Sequence, residues 1–341
     1  MNIGIIGATG LVGKKMIELL QSSNIKIDNI YFFASQKSKG EEIYFRTEKY
    51  YVEQLTDDSI LGKNLSVVFI ASGNDISEKY SPLLAKKGVY VIDKSSRFRM
   101  DENVPLVVPE INFDSIKEED RIIANPNCTT IPLAMSLFNV DREFHIKKVY
   151  VATYQAVSGA GKDALIDYEN QLKDAAENKA LVSSFFNFPI VGNLIPQIDS
   201  FYETEDYYGF TKEEGKLVNE TRKILNRKDL FIDTINVRVP VKVGHSAAVF
   251  VEVEKECNVG DIKKSMSKME NLVILDDFKN NLYPMPYYLE DTDATYVGRI
   301  KQNKEDKRSF SFWLVADNLR RGAAFNAFKI FEKLIEKGKL L

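Results

Sequence analysis

Over the first 126 positions, apolar residues fall into short unbroken runs separated by longer amphipathic stretches. Ile3–Ile6, Ile30–Ala34, Leu65–Ala71, Val89–Ile92 and Arg121–Ala124 read as strands, while Leu11–Gln21 and Glu78–Lys87 carry the helical period. Continuous apolar strands alternating with helices predict a parallel sheet covered on both faces. That is the α/β doubly wound, Rossmann-like architecture. Beyond Cys128 the texture changes. Longer alternating runs occupy Lys147–Ala156, Asp233–Val243, Ala247–Val253 and Ser309–Val315. Val237, Val239 and Val241 alternate with Arg238, Pro240 and Lys242, as in a sheet with one covered face. An α+β second domain with a largely antiparallel sheet is expected. Asn318–Lys337 reads as a helix with Ala324, Phe328, Phe331, Leu334 and Ile335 on its apolar face, expected to return to the first domain. The domain reading is therefore 1–127 with 317–341, and 128–316.

Composition narrows the classes. The chain has 341 residues, 44% hydrophobic and 28% charged, comfortable for two globular domains. A net charge of -3 gives no footprint for nucleic acid or an anionic membrane. No run of about 18 apolar residues could span a bilayer. The chain opens on a strand pattern rather than an export signal. Its cysteines, Cys128 and Cys257, are too few for a disulfide framework, so a reducing cytoplasm is expected. Cys and His have no metal-ligand spacing, and no metal is expected.

Cys128 stands where the strand Arg121–Ala124 ends and a helix, Ile131–Asn139, is to begin. A thiol at a helix N-terminus meets unpaired backbone N–H groups and the positive end of the helix dipole, which favour thiolate. His145 and His245 are the only imidazoles. His145 lies in a charged stretch, whereas His245 follows Gly244 at a break between two alternating runs. That bend could aim the ring at the cysteine as a general base.

Gly7-Ala8-Thr9-Gly10-Leu11-Val12-Gly13 joins the first strand to the first helix. Such glycines permit a tight turn and close approach of backbone to a pyrophosphate on the helix N-terminus. The second strand ends in Ser35-Gln36-Lys37-Ser38, hydroxyls and a lysine where an NAD enzyme usually has a carboxylate. That pattern suits the 2′-phosphate of NADP. Tyr154–Lys162 runs from a strand into a glycine-rich bend, readable as a second backbone nest or as a plain turn. Arg238 and Arg99 are candidate anion clamps.

Together these segments resemble the aspartate-β-semialdehyde dehydrogenase family over nearly the whole chain. The resemblance rests on the glycine turn, Pro105–Glu110, Asn125-Pro126-Asn127-Cys128 and Tyr154–Gly161. It continues in Asn193–Ile198, Arg238-Val239-Pro240, Gly244-His245-Ser246 and Asp317–Ala324. It implies Cys128 as nucleophile, His245 as acid/base and Gln155 orienting the substrate. Arg238 would hold the substrate carboxylate and Glu213 its ammonium. Arg99, Asn127 and Lys216 would line the phosphate pocket. The NADP set would be Gly7, Thr9, Gly10, Leu11, Val12, Gly13, Ser35, Lys37, Ser38, Ser158 and Gly159, with Asn318 by the nicotinamide. The implied reaction interconverts L-aspartate 4-semialdehyde plus phosphate with L-4-aspartyl phosphate through a cysteine thioester, and the implied assembly is a homodimer or homotetramer.

The chain departs from the pattern at two places. Lys37 stands where arginine is common, and Gly215 where a bulkier residue is usual. Arg97 lies two residues from Arg99 and would take its place under a register shift. Cys257 receives no role beyond structure. Rival readings are another thioester-forming dehydrogenase, or a non-catalytic relative that senses NADP. The retained cysteine and histidine argue against the latter, and Glu213 argues against a substrate with an acylated amine.

Overall fold

The computed structural model describes residues 1–340. It forms two compact units, Met1–Asn127 with the stretch from Ala323 onward, and Cys128–Gly322.

The first unit contains β1 (Asn2–Ile6), α1 (Leu11–Ser22), β2 (Asn29–Ala34), β3 (Glu42–Phe45), β4 (Glu48–Tyr51), β5 (Glu53–Gln54) and α2 (Asp57–Leu61). They are followed by β6 (Val67–Ile70), α3 (Asn74–Lys86), β7 (Tyr90–Asp93), α4 (Pro109–Asn112) and β8 (Ile122–Ala124). Six strands pair in parallel in the order β5-β2-β1-β6-β7-β8, with β3 and β4 as a separate hairpin. The chain runs outward from β1 to β5 and then crosses back to β6. Strand order therefore reverses at β1, the point where open α/β sheets take their ligands. Alternate strand residues feed different cores. Ile3, Ile5, Phe32 and Phe69 join Leu20 and Phe331 on one face, while Ile6, Phe33, Val68 and Ile70 join Tyr80 and Leu84 on the other. This is the doubly covered sheet that the unbroken apolar runs require.

The last helix, Phe325–Glu336, belongs to this unit, with Phe331 set edge-to-face on Phe69 at 5.5 Å. Asn326 donates to Val107 O (2.9 Å) and Asn125 Oδ1 (2.7 Å), tying down the segment that leads to Cys128. The helix starts later than the expected Asn318. Asp317 Oδ1 accepts from the N–H groups of Leu319 and Arg320, and a single π-helical turn spans Arg320–Ala324 before regular helix begins.

The second unit holds α5 (Thr130–Phe144), β9 (Ile146–Gln155), α6 (Lys162–Ala176), α7 (Lys212–Leu225) and β10 (Phe231–Arg238). It continues with β11 (His245–Val253), α8 (Val259–Met266), β12 (Leu272–Ile274), β13 (Thr295–Gln302) and β14 (Ser309–Ala316). Its sheet runs β10-β9-β11-β14-β13-β12. The β9–β11, β11–β14 and β13–β14 pairs are antiparallel, and the two others are parallel. Helices α5, α7 and α8 pack against it. Val149, Val151 and Val249 are buried on one face, while Tyr150, Phe231, Ile235 and Phe250 stand exposed on the other. The expected strand Asp233–Val243 stops at Arg238. Pro240 has no N–H for a ladder, so the chain leaves the sheet and returns through Gly244 at φ 97°.

Asp167 on α6 anchors the long connection to α7. It accepts from Gln171 Nε2 (2.8 Å), Ser183 Oγ (2.8 Å), Ser184 N (2.7 Å) and Ser184 Oγ (2.8 Å). Burial alone would raise its pKa, but the bonds from Ser184, Ser183 and Gln171 more than offset that and hold it below the ordinary value. Replacing Asp167 with Ala should lower unfolding stability at neutral pH by about 2–4 kcal/mol, since several bonds to one charged group are lost. A carboxyl depressed in the folded state stabilises above its unfolded pKa of about 4. That contribution disappears as the pH falls through the folded value. Denaturant titrations at pH 7 and pH 3 check this, and equal midpoints for both proteins at pH 7 would remove the role.

Candidate active site

Three neighbouring strands of the second unit end or begin at one edge of the sheet. β9 ends at Gln155, β10 ends at Arg238 paired with it, and Ser246 pairs with Tyr154, which sets His245 across from Gln155. By the period of two, these side chains share the face that Thr153 and Asn236 occupy. All are buried there. Between them runs the bend that follows β9. The N–H of Ala156 donates to His245 Nδ1 at 3.0 Å, and its carbonyl accepts from Arg238 Nη1 at 2.7 Å. His245 is 3% exposed, and its Nε2 has no hydrogen-bond partner among the described residues. Burial holds its pKa well below the usual imidazole value, and the charge of Arg238 adds to this. Burial also lowers Arg238, while Glu213 and Cys128 pull the other way.

Glu213 is delivered by the start of α7. Thr211 and Glu214 form a reciprocal capping box, and the second oxygen of Glu214 accepts from Asn236 N at 3.1 Å. The helix start is thereby fixed to β10. Gln155 Nε2 donates to Glu213 Oε1 (3.1 Å), and Thr153 Oγ1 lies 3.1 Å from Gln155 Oε1. The Gln155 amide thus acts on Glu213. Lys216 Nζ bridges Asp199 (2.7 Å) and Glu213 (3.3 Å). Gly215 explains its own departure from the family pattern: any Cβ there would run into the ring and hydroxyl of Tyr202.

Cys128, partly exposed, lies in the turn ahead of α5, two residues before its first helical position. Thr129 gives no side-chain cap and the first turn carries no acidic residue, so neither competes with the thiolate for the helix end. Gly322 lies against the Cys128 backbone, where a Cβ would come within 3.0 Å of Cys128 Cβ and O. Cys257 is buried away from this group, its thiol 3.7 Å from Lys307 O and its pKa raised by burial. His145 caps α5 at the surface, 3.4 Å from Arg227. Asn318 Oδ1 accepts from Gly244 N (2.9 Å), and its Nδ2 donates to Ser158 Oγ (3.0 Å), which fixes the turn before His245.

The first unit holds the remaining expected residues. Arg99 is buried and donates to Lys94 O at 2.6 Å, whereas Arg97 is exposed and ion-paired with Glu78 at 3.0 Å. Asn127 is buried as well. Gly7 takes φ 81°, with a hypothetical Cβ 2.5 Å from Ala71 O, and a Cβ on Gly13 would strike Gly7 O. The turn needs glycine at both places. Gly10 caps α1 without a side chain, so the N–H groups of Leu11, Val12 and Gly13 face an open helix end with no acid in its first turn. That cradle fits a pyrophosphate. Thr9 Oγ1 and Ser38 Oγ lie 3.2 Å apart, and Ser35 and Lys37 are exposed at the end of β2. Among the described residues, no three His, Cys, Asp or Glu side chains are grouped to hold a metal ion, and no helix is long and apolar enough to cross a membrane.

Ala156, Asp199, Thr153 and Gly322 were not expected at this site. Ala156 and Gly322 act through backbone and space, which residue type does not signal. Asp199 directly follows the Asn193–Ile198 segment and could have been found there as a carboxylate beside a recognised motif.

Comparison with known proteins gives the family. Residues 2–119 match the family described as "Semialdehyde dehydrogenase, NAD binding domain", and residues 140–321 match "Semialdehyde dehydrogenase, dimerisation domain". The fold and glycine turn are thus those of a nicotinamide-dependent semialdehyde dehydrogenase. Aspartate-semialdehyde dehydrogenase of Aquifex aeolicus is 39% identical over 98% of both chains, and that of Campylobacter jejuni is 40% identical over 98% of this chain and 97% of its own. The crystal structure of aspartate semialdehyde dehydrogenase II from Vibrio cholerae complexed with ASA superposes with a TM-score of 0.91, at 34% identity over 98% of each chain. The chain belongs to the aspartate-semialdehyde dehydrogenase family.

Gly159 packs where a Cβ would come within 3.0 Å of Arg238 Nη1 and His245 Nε2. The Gly159→Ala variant should keep its melting temperature and lose about a hundredfold in kcat/KM, the scale of a displacement of about 1 Å at reacting groups. Unchanged kinetics would show that neither side chain needs its present position.

Proposed function

We propose that the chain catalyses the reversible, NADP-dependent conversion of L-aspartate 4-semialdehyde and phosphate to L-4-aspartyl phosphate through a thioester on Cys128. In the biosynthetic direction this serves lysine, threonine, methionine and isoleucine formation from aspartate. The observation that carries the reading is the buried set Arg238, Glu213 and Gln155 beside His245. Its opposite charges suit a small substrate bearing both carboxylate and ammonium. Arg238 spends one of its five donors on Ala156 O among the described residues, leaving others to grip a carboxylate as a fork. Glu213, steadied by Gln155, receives the ammonium.

The Cys128 thiolate attacks the aldehyde carbon, and His245 attends the oxygen. Loss of hydride from that carbon leaves the thioester, and phosphate attack on its carbonyl releases the acyl phosphate and frees the thiolate. Arg99, Asn127 and Lys216 keep the phosphate role that the family resemblance implies. Gly7–Gly13 would hold the pyrophosphate of a nicotinamide nucleotide, which would supply the hydride acceptor. Ser35, Lys37 and Ser38, with no carboxylate among them, favour the 2′-phosphate form. The exposed aromatic and aliphatic face of the second sheet, with Tyr150, Phe231, Ile235 and Phe250, supports a homodimer built there.

The test is phosphate-dependent reduction of NADP by purified protein with aspartate semialdehyde, with NAD in parallel. NADP is expected to be preferred and phosphate to be required. Cys128→Ala should abolish turnover while NADP still binds, as measured by calorimetry. Full activity in that variant would end the thioester mechanism, and no reaction with this aldehyde would end the substrate assignment.

A further inference from the structure

We propose that the backbone N–H of Ala156 fixes His245 as its Nε2–H tautomer, so that the ring donates a hydrogen bond to the oxygen of the reacting carbonyl and does not take the proton of Cys128. The inference rests on the reaction proposed above and assigns the direction of one proton within it.

A neutral imidazole has one N–H and one lone pair. A backbone N–H can only donate. Its 3.0 Å bond to His245 Nδ1 therefore requires the lone pair on Nδ1, and the ring proton falls to Nε2. The Nδ1–H form would set two donors head to head at that distance. The imidazolium would do the same, and would in addition be a charge buried beside the Arg238 guanidinium, which the depressed pKa opposes. Nε2 is the buried nitrogen with no partner among the described residues, so its proton is the one the ring can offer. A general base for the thiol needs a lone pair at that same nitrogen. The geometry gives it a hydrogen instead.

The thiolate must then be stabilised by other means, and two are in place. Cys128 precedes the uncapped, acid-free N-terminus of α5, and its charge couples favourably to Arg238. The thiol proton leaves to water before the chemical step. Sγ then attacks the aldehyde carbon. The C–S bond forms as the π pair of the C=O moves onto oxygen, and the alkoxide is held by the Nε2–H donor. No proton on His245 is transferred. A donor already aimed at the developing charge is the arrangement that stabilises oxyanions most effectively. Ala156 is a positioning residue in this scheme, and the bond from Arg238 to its carbonyl steadies the peptide that follows it.

The chain has two histidines, which makes the test direct. Protein labelled with 15N-histidine is studied by NMR without substrate, the surface residue being assigned through a His145→Gln variant. His245 should show an unprotonated Nδ1 and a directly bonded proton on Nε2. A proton on Nδ1, alone or together with one on Nε2, overturns the proposal and leaves the substrate assignment untouched. Kinetics give a second reading. Glutamine keeps an N–H donor near the Nε2 position but cannot shuttle protons, so His245→Gln should retain at least about tenfold more kcat than His245→Ala, the scale of one oxyanion donor. Equal losses in the two variants would show that proton transfer is what the ring supplies. NMR of the unsubstituted chain decides the tautomer even where the variants disturb folding.

Discussion

The backbone of Ala156 bonds two buried side chains of opposite demand. Its N–H, in the Gln155–Ala156 peptide, meets an imidazole lone pair, and its carbonyl, in the Ala156–Val157 peptide, meets a guanidinium, so two adjoining planes set both side chains. Two planes can do this only if neither rotates. Here the following residues are stitched to the neighbouring bend, with Val157 N donating to Val241 O at 2.8 Å and Ser158 N to Lys242 O at 3.1 Å. Val239 N closes the other side on Gln155 O at 3.0 Å. The break in β10 at Pro240 is what brings Val239–Lys242 close enough to make these bonds. A strand running on to Val243 would have carried them away.

Burying an ionised guanidinium costs several kcal/mol unless its donors are met. The second unit meets that cost partly by electrostatics, since Glu213 and Cys128 both favour the charged form of Arg238. The same charge suppresses protonation of His245. One buried cation therefore adds to the burial that keeps an imidazole neutral and, in the proposed reaction, supports a thiolate and takes a carboxylate. These three effects need no motion at the moment of reaction, which is what preorganisation means in a low-dielectric site.

Much of this was legible in the sequence, and for physical reasons. Unbroken apolar runs such as Val67–Ile70 have to be covered on both faces, so the parallel sheet followed from periodicity. Glycine at Gly7 and Gly13 is a residue choice that other side chains cannot replace, and the cysteine is marked by its place at a strand-to-helix junction. What stayed hidden is what residue type does not encode. The alternation through Val241 read as a longer strand because valine pairs with strand whether or not a proline has already removed the ladder bond. The helix at Asn318 read as continuous because the aspartate that bends its start, Asp317, lies outside the apolar pattern. The roles of Ala156 and Gly322 are backbone roles. No composition signals them.

Lys216 shows how a charge can be both held and kept available. Its ammonium is shared between Asp199 at 2.7 Å and Glu213 at 3.3 Å, on a helix start locked by its capping box. An extended lysine loses most of its rotamer entropy on folding rather than on binding, which spares up to about 1.5–2 kcal/mol of ordering when an anion arrives. The carboxylates exact the opposite effect, since in the proposed reaction the phosphate dianion competes with Asp199 for the same donors. The Asp199 carboxyl feels the lysine strongly enough to sit below its ordinary pKa although burial works to raise it. Glu213 is held from its other oxygen by Gln155, so the contact with Asp199 is the one that phosphate can displace without disturbing the residue proposed to hold the ammonium. Tyr202, seated over Gly215 where most side chains would collide, closes this corner from the connection that also carries Asp199. The small residue on α7 and the aromatic one on the connection therefore have to be read as a pair, because enlarging one displaces the segment that holds the lysine.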